Sequence, residues 1–308
     1  MNHGANHGVD HGQPPPVRAF LRRCVLAASV LDDLDVDPDD DGVHLPGCAP
    51  LAWADVAATA GPFPRGPLTA RSGPPGADDA APGAAARLRV RQLLLAHREL
   101  HRRAVRLVPL AVPRGADRHP GAVWESTAVL GGALDLGPGV VVTHAGRERA
   151  LPVPAASARA TGAAAGLTAA QREHLEAMGS LAAHRLHRDE GARDGGVLRP
   201  VGGCDAPTLL AAASLRAHLV TAPGDSAGPV LRAVAVPDRT RGWFDLARVD
   251  PAFVVAAWAV TDPADRGLRR PVLVTREEVA PAPTAPDVRG HRGGADAGGA
   301  LARAVLRL

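Results

Sequence analysis

Apolar residues recur at helical spacing over residues 17–34 and again over 51–60. Pro and Gly crowd residues 61–83, which reads as a linker or long loop. Residues 84–106 lack both and are rich in good helix formers, so a second long helix is predicted there. Short apolar runs at 105–112, 123–130, 133–136 and 140–143, separated by Gly and Pro, predict an antiparallel meander. Thr168 with Gln171 forms a capping-box start for a helix to about Asp189, and Asp205 is placed to cap another through Leu219. A strand follows at 230–236. Asp250, with Pro251 at the first helical position, then opens a helix whose Phe253, Val254, Val255 and Trp258 leave no polar face. A helix apolar on every side belongs in the centre of a core. A last strand is expected at 271–275.

Helices and meanders segregate rather than alternate, which predicts an α+β fold, with two lobes as one arrangement of it. The divisions are a His/Gly/Pro tail (1–16) expected to be disordered, a helical segment (17–60), the Pro/Gly-rich linker (61–83), a basic helix plus meander (84–155), an α+β lobe (156–280) and a Pro/Gly-rich tail with a short terminal helix (281–308).

Composition removes several chemistries. The 308 residues include no Lys, Tyr or Ile, so all 35 basic residues are Arg. P-loop, Schiff-base and protein-kinase chemistry are therefore excluded, since each needs a lysine. Loss of residues with AT-rich codons points to a GC-rich, bacterial genome. The net charge of +3 is small, but its distribution is polarised. An acidic run covers Asp32, Asp33, Asp35, Asp37, Asp39, Asp40 and Asp41, whereas Arg87, Arg89, Arg91, Arg98, Arg102, Arg103 and Arg106 share one later segment. Cys24, Cys48 and Cys204 are odd in number without paired spacing, which fits a reducing cytoplasm. The apolar stretch 25–31 is short and cut off by Asp32 and Asp33, so no signal peptide is expected, and the longest strongly apolar run, 251–261, is about half of the roughly 20 residues that a membrane span needs.

Gly224-Asp225-Ser226-Ala227-Gly228 has the G-x-S-x-G spacing of a nucleophile elbow. It resembles the elbow of hormone-sensitive-lipase-like esterases and, with Pro229, the active-serine segment of trypsin-like proteases. The resemblance implies a catalytic serine at Ser226. An elbow leads into a helix, however, whereas residues 229–236 read as a strand, so the competing reading is a hairpin turn. Gly202-Gly203-Cys204-Asp205 leads into a predicted helix. Its backbone N–H groups, with Arg199, form a candidate ligand site, and the helix dipole would lower the Cys204 thiol pKa.

Arg87, Arg91, Arg98 and Arg102 fall on one helical face, a candidate surface for phosphates or an acidic protein, without aromatic residues to stack bases. On the same helix His97 and His101 are four apart, a spacing that can put two imidazoles on one metal. Glu99 does not adjoin His97 as a zincin glutamate would, and both rings fall at the margin of an apolar arc. Satisfied boundary histidines, and no metal or other cofactor in the folded body, are expected. Asp37, Asp39, Asp41 and Gly42 match half of a calcium loop, but its twelfth position is Cys48, so a solvated acidic turn is expected. The combined expectation is a cytoplasmic binding or accessory protein. The alternatives are a serine hydrolase using Ser226 and non-specific binding of nucleic acid or an acidic partner through the arginine helix.

Overall fold

The structure, a computed structural model, describes residues 15–62, 82–144, 146–189, 197–220, 232–244, 249–275 and 279–281. The expectations for the tail before residue 15, the linker over 63–81, the Ser226 segment and the terminal helix lie outside them, whereas Pro15 and Pro16, expected in the disordered tail, begin the first helix, and Pro82 and Gly83, expected in the linker, begin the helix that runs to Leu100. The fold is α+β, with eight α-helices and three antiparallel sheets among the described residues. None of these helices is long and apolar enough to cross a membrane.

In chain order the helices are α1 (Pro15–Asp32), α2 (Trp53–Ala60), α3 (Pro82–Leu100), α4 (Ala155–Thr161), α5 (Ala169–Asp189), α6 (Ala206–Leu210), α7 (Ala213–Leu219) and α8 (Pro251–Val260). The first sheet is a small antiparallel unit of β1 (Asp37–Pro38), β2 (Gly42–His44) and β3 (Leu51–Ala52). Its β1–β2 turn holds the expected acidic turn, in which Asp39 Oδ1 accepts the N–H groups of Asp41 and Gly42 at 2.8 and 2.9 Å.

The second sheet is organised by one strand that the sequence pattern splits in two. β6 (Leu134–His144) runs straight through Gly137-Pro138-Gly139 and pairs with β4 (Leu107–Pro113), β5 (Thr127–Val129) and β7 (Arg147–Pro152). Val141 N–H donates to Arg106 O, so hydrogen-bonded pairs fall at alternate positions along the β4–β6 ladder. Pro138 faces Pro109 at a non-hydrogen-bonded position, where neither missing N–H interrupts the ladder. Gly137 and Gly139 admit the Trp124 ring and Leu110 so closely that a Cβ at either would lie 2.8 Å from its neighbour.

The third sheet has the order β12 (Val279–Pro281), β11 (Val272–Val274), β9 (Arg232–Asp238), β10 (Arg241–Trp243) and β8 (Val197–Leu198). It carries α5, α6 and α7 on the second apolar core. The capping box forms as expected: Gln171 N–H donates to Thr168 Oγ1 at 3.2 Å, and Thr168 N–H donates to Gln171 Oε1 at 2.9 Å. The helix predicted from Asp205 through Leu219 breaks in two. Asp205 caps α6, but α7 is capped by Glu176 of α5, whose carboxylate accepts the N–H groups of Ala213 and Ser214, each at 2.9 Å.

Burial separates the two helices with the most one-sided compositions. Basic α3 runs through the first core, with Val90, Leu93, Leu94, Ala96 and Leu100 buried against α1, α2 and the β6–β7 hairpin. Apolar α8, expected at the centre, packs among the described residues mainly against β9, with Phe253 edge-to-face on Trp243 of β10: Val254 is 0% exposed, but Val255 is 41% and Val260 87% exposed. Arg91 and Arg89 of α3 are received by Asp32 and the Ala60 carbonyl, whereas the buried Nε of Arg98 has no hydrogen-bond partner among the described residues. Trp258 is half-buried, with the Arg266 guanidinium 4.1 Å and that of Arg269 5.4 Å from its ring centre. Trp258→Ala is therefore expected to cost about 1–2 kcal/mol in urea unfolding, below the ~3–5 kcal/mol of a fully buried tryptophan. A loss above about 3 kcal/mol would restore the central placement.

Candidate functional site

The Gly202-Gly203 turn is built for tightness. Val201 and Cys204 exchange backbone hydrogen bonds of 3.0 and 2.9 Å across it, and the two glycines take φ of 58° and 90°. A Cβ at Gly202 would also run into the Met178 sulfur on α5. These glycines therefore serve packing and turn geometry first. α6, which follows, has only five residues and is capped by an aspartate, so its N-terminus is no anion cradle.

This turn nevertheless forms one wall of a cleft of about 290 Å³. The opposite walls come from the β6–β7 hairpin (Arg147, Glu148, Arg149), the β9–β10 turn (Arg239, Thr240), Arg106 ahead of β4, and Asp265. Arg147 and Arg149 alternate along β7 and so share one face. Three ion pairs organise the walls: Arg106–Glu148 at 2.5 Å, Arg149–Asp265 at 2.8 Å and Arg239–Asp205 at 2.6 Å. The last is buried, and Arg239 also donates to Ala150 O at 2.9 Å. Burial pushes the Asp205 carboxyl upward, but Arg239, Arg118 and the Thr208 hydrogen bonds outweigh it and hold the group below the usual carboxylate range.

Two guanidinium groups remain without a carboxylate partner among the described residues. Arg147 is exposed on the rim. Arg118 is 2% exposed, and its Nε and Nη2 have no hydrogen-bond partner. Its charge is felt by Arg239, Asp205 and Asp265, all cleft residues, and burial followed by repulsion from Arg239 lowers its pKa to about 9. At neutral pH it is still a cation. Five guanidinium groups thus act on this cleft against three carboxylates. The described lining supplies guanidinium groups, carboxylates and the Thr240 hydroxyl, and its excess of guanidinium groups suits holding an anion.

The predicted residues disperse around this site. Gly202 and Gly203 line the cleft, whereas Arg199 is exposed outside it. Cys204 is 0% exposed and its thiol is pushed up to about 12, first by burial and then by Asp205. That shift is opposite to the lowering expected from a helix dipole, so a thiolate role for Cys204 is corrected by its apolar surroundings. Ser226 lies outside the described residues. The arginine face does not form one stripe. Arg87 is exposed, Arg91 binds the buried Asp32 at 2.6 and 2.5 Å, Arg98 is half-buried, and Arg102 pairs with Glu99 at 3.1 Å. His144 also meets Asp32, at 3.0 Å, so the acidic run consumes part of the basic face from within.

His97 is completely buried, and burial, the main cause, lowers its pKa to about 4. It lies beside His101, with Cys48 brought near both from a loop 49 residues upstream of His97. This group is the one set of three metal-ligating side chains found among the described residues.

Sequence reasoning missed Arg106, Arg118, Arg147, Arg149 and Arg239 as a group, because they come from separate turns and strand ends. The one local signal was the alternation of Arg147 and Arg149, legible once 147–152 is read as a strand. No known family model, curated protein or solved structure matches the chain.

Proposed function

We propose that this protein is a binding module for a small, doubly charged anion, a phosphate monoester or a compact dicarboxylate, held in the arginine cleft and read out in a reducing cytoplasm. The observation that carries this reading is the surplus of two cations, the buried Arg118, coupled electrostatically to Arg239, Asp205 and Asp265 of the cleft, and Arg147 on its rim, after every cleft carboxylate has taken a partner. A buried guanidinium with unfilled donors costs stability until an acceptor arrives. The volume of about 290 Å³ suits a small ligand rather than a polymer. The free cysteines Cys24, Cys48 and Cys204 support the reducing compartment.

Titration of the full chain with inorganic phosphate, ribose 5-phosphate and citrate, by calorimetry and thermal shift, tests the proposal. Saturable binding of at least one, weakening with salt, is expected. Arg147→Ala should weaken it roughly tenfold by removing one charge-assisted contact. Arg118→Met should raise the melting temperature without ligand, because it removes an unpartnered buried cation, and should abolish the ligand-induced shift. Equal binding by wild type and both variants would sink the reading. So would fluorophosphonate labelling that disappears in Ser226→Ala, which would make the chain a serine hydrolase.

A further inference from the structure

Cys48, His97 and His101 each offer one ligand atom, and the three atoms lie within 4.8 Å of one another. The loop that carries Cys48 is closed by Cys48 N–H donating to Leu45 O at 3.0 Å, with Gly47 at φ 73°. That turn lays residues 48 and 49 against the last turn of α3, where the two rings stand 4.4 Å apart. Both rings are turned toward it through Nε2. His101 Nε2 accepts the Ala49 N–H at 3.1 Å, and His97 Nε2 donates to the Ala49 carbonyl at 2.8 Å.

The far side of each ring is already arranged as metal-binding histidines require. Such a ring usually donates its other N–H to a carbonyl, carboxylate or similar acceptor, which fixes the tautomer. His101 Nδ1 donates to the His97 carbonyl at 2.9 Å, leaving Nε2 as the lone-pair nitrogen. His97 Nδ1 is 2.9 Å from Ser157 Oγ, a hydroxyl able to accept from Nδ1–H as readily as it donates to a bare nitrogen. Moving the single proton of His97 from Nε2 to Nδ1 turns its lone pair toward the loop, with the hydroxyl rotating to match.

From this geometry we propose that Cys48, His97 and His101 bind one divalent transition-metal ion, zinc foremost, with a fourth coordination position left for water. One thiolate and two imidazoles are a zinc-type donor set, and three protein ligands are the number found where zinc keeps an open position. On binding, Cys48 exchanges its thiol proton for the metal, His97 shifts its proton to Nδ1, and Ala49 gives up its contacts with both rings. One proton per ion is released to solvent. The proposal departs from the expectation of a metal-free folded body. The signal lay beyond local spacing, because the third ligand comes from another element. This site is separate from the arginine cleft and stands or falls independently of it.

Cobalt(II) titration of the reduced, full-length protein tests the site by absorption. A saturating thiolate-to-cobalt charge-transfer band is expected in the near ultraviolet, with visible bands of a four-coordinate ion, both erased by zinc. The His-Gly repeats at His3, His7 and His11 contain no cysteine and cannot produce the charge-transfer band. Cys48→Ser should remove that band while retaining the wild-type melting curve, since Cys48 is half-buried and its one side-chain hydrogen bond is a 3.7 Å contact to Pro46 O. Cys24→Ala should leave the band in place. Absence of the band in the wild type, or its survival in Cys48→Ser, overturns the proposal.

Discussion

Arg239→Ala is expected to destabilise the protein by about 3–5 kcal/mol, because it leaves a buried carboxylate without its direct partner. Asp205 is buried, and its 2.6 Å bond to Arg239 Nε is its direct ion pair; Arg118 acts on it without such a bond. The same substitution strands the Ala150 carbonyl, which accepts from Arg239 Nη2. Asp205 also caps α6 and accepts from the Thr208 hydroxyl, which in turn accepts the Ala111 N–H of β4 at 2.9 Å. One lost guanidinium therefore loosens the join between the second sheet and the α6 layer. Urea unfolding measures the loss, and a change below about 1 kcal/mol would mean that Arg118 can take over the pairing.

The pH dependence has a definite sign. The folded pKa of Asp205 lies below its ordinary 3.8, so the pair's stabilisation is full above that value and is lost as pH falls through the folded value. Melting temperatures of the wild type should drop along this acid limb. In Arg239→Ala the limb should be shallower, since burial then opposes ionisation with less compensation.

Trp124→Ala should cost a similar amount, about 3–5 kcal/mol, for a different reason. Trp124 is 3% exposed, its ring lies on the bare backbone of Gly137, and its Nε1–H donates to Pro138 O at 2.9 Å. The indole thus fills the space that the glycine opens in the central strand and gives the Pro138 carbonyl a second donor beside the Val153 N–H. Trp124→Phe separates these contributions: it keeps most of the apolar contact and should recover all but about 0.5–1.5 kcal/mol, the net worth of one hydrogen bond, because Pro138 O keeps the Val153 N–H at 3.0 Å. If both variants unfold like the wild type, β6 does not depend on the indole.

The chain's own pattern was sufficient wherever a structure is local. The capping box at Thr168 and Gln171, the Asp205 and Asp250 caps, and the placement of α1, α2, α5 and β11 follow from residues within one or two turns of each other. Segregation of helices from meanders likewise sufficed for the α+β class. Tertiary structure decided the rest, because burial depends on what lies opposite. α3 is buried despite its arginines because Asp32 and the Ala60 carbonyl receive Arg91 and Arg89, while α8, despite its composition, leaves Val255 and Val260 exposed because among the described residues its main packing partner is the single strand β9. β6 passes through Gly-Pro-Gly because register places Pro138 where no hydrogen bond to β4 is needed. The cleft and the Cys48–His97–His101 group join residues far apart in sequence. A charge surplus or a ligand set of that kind exists only once folding has fixed distances that no local spacing encodes.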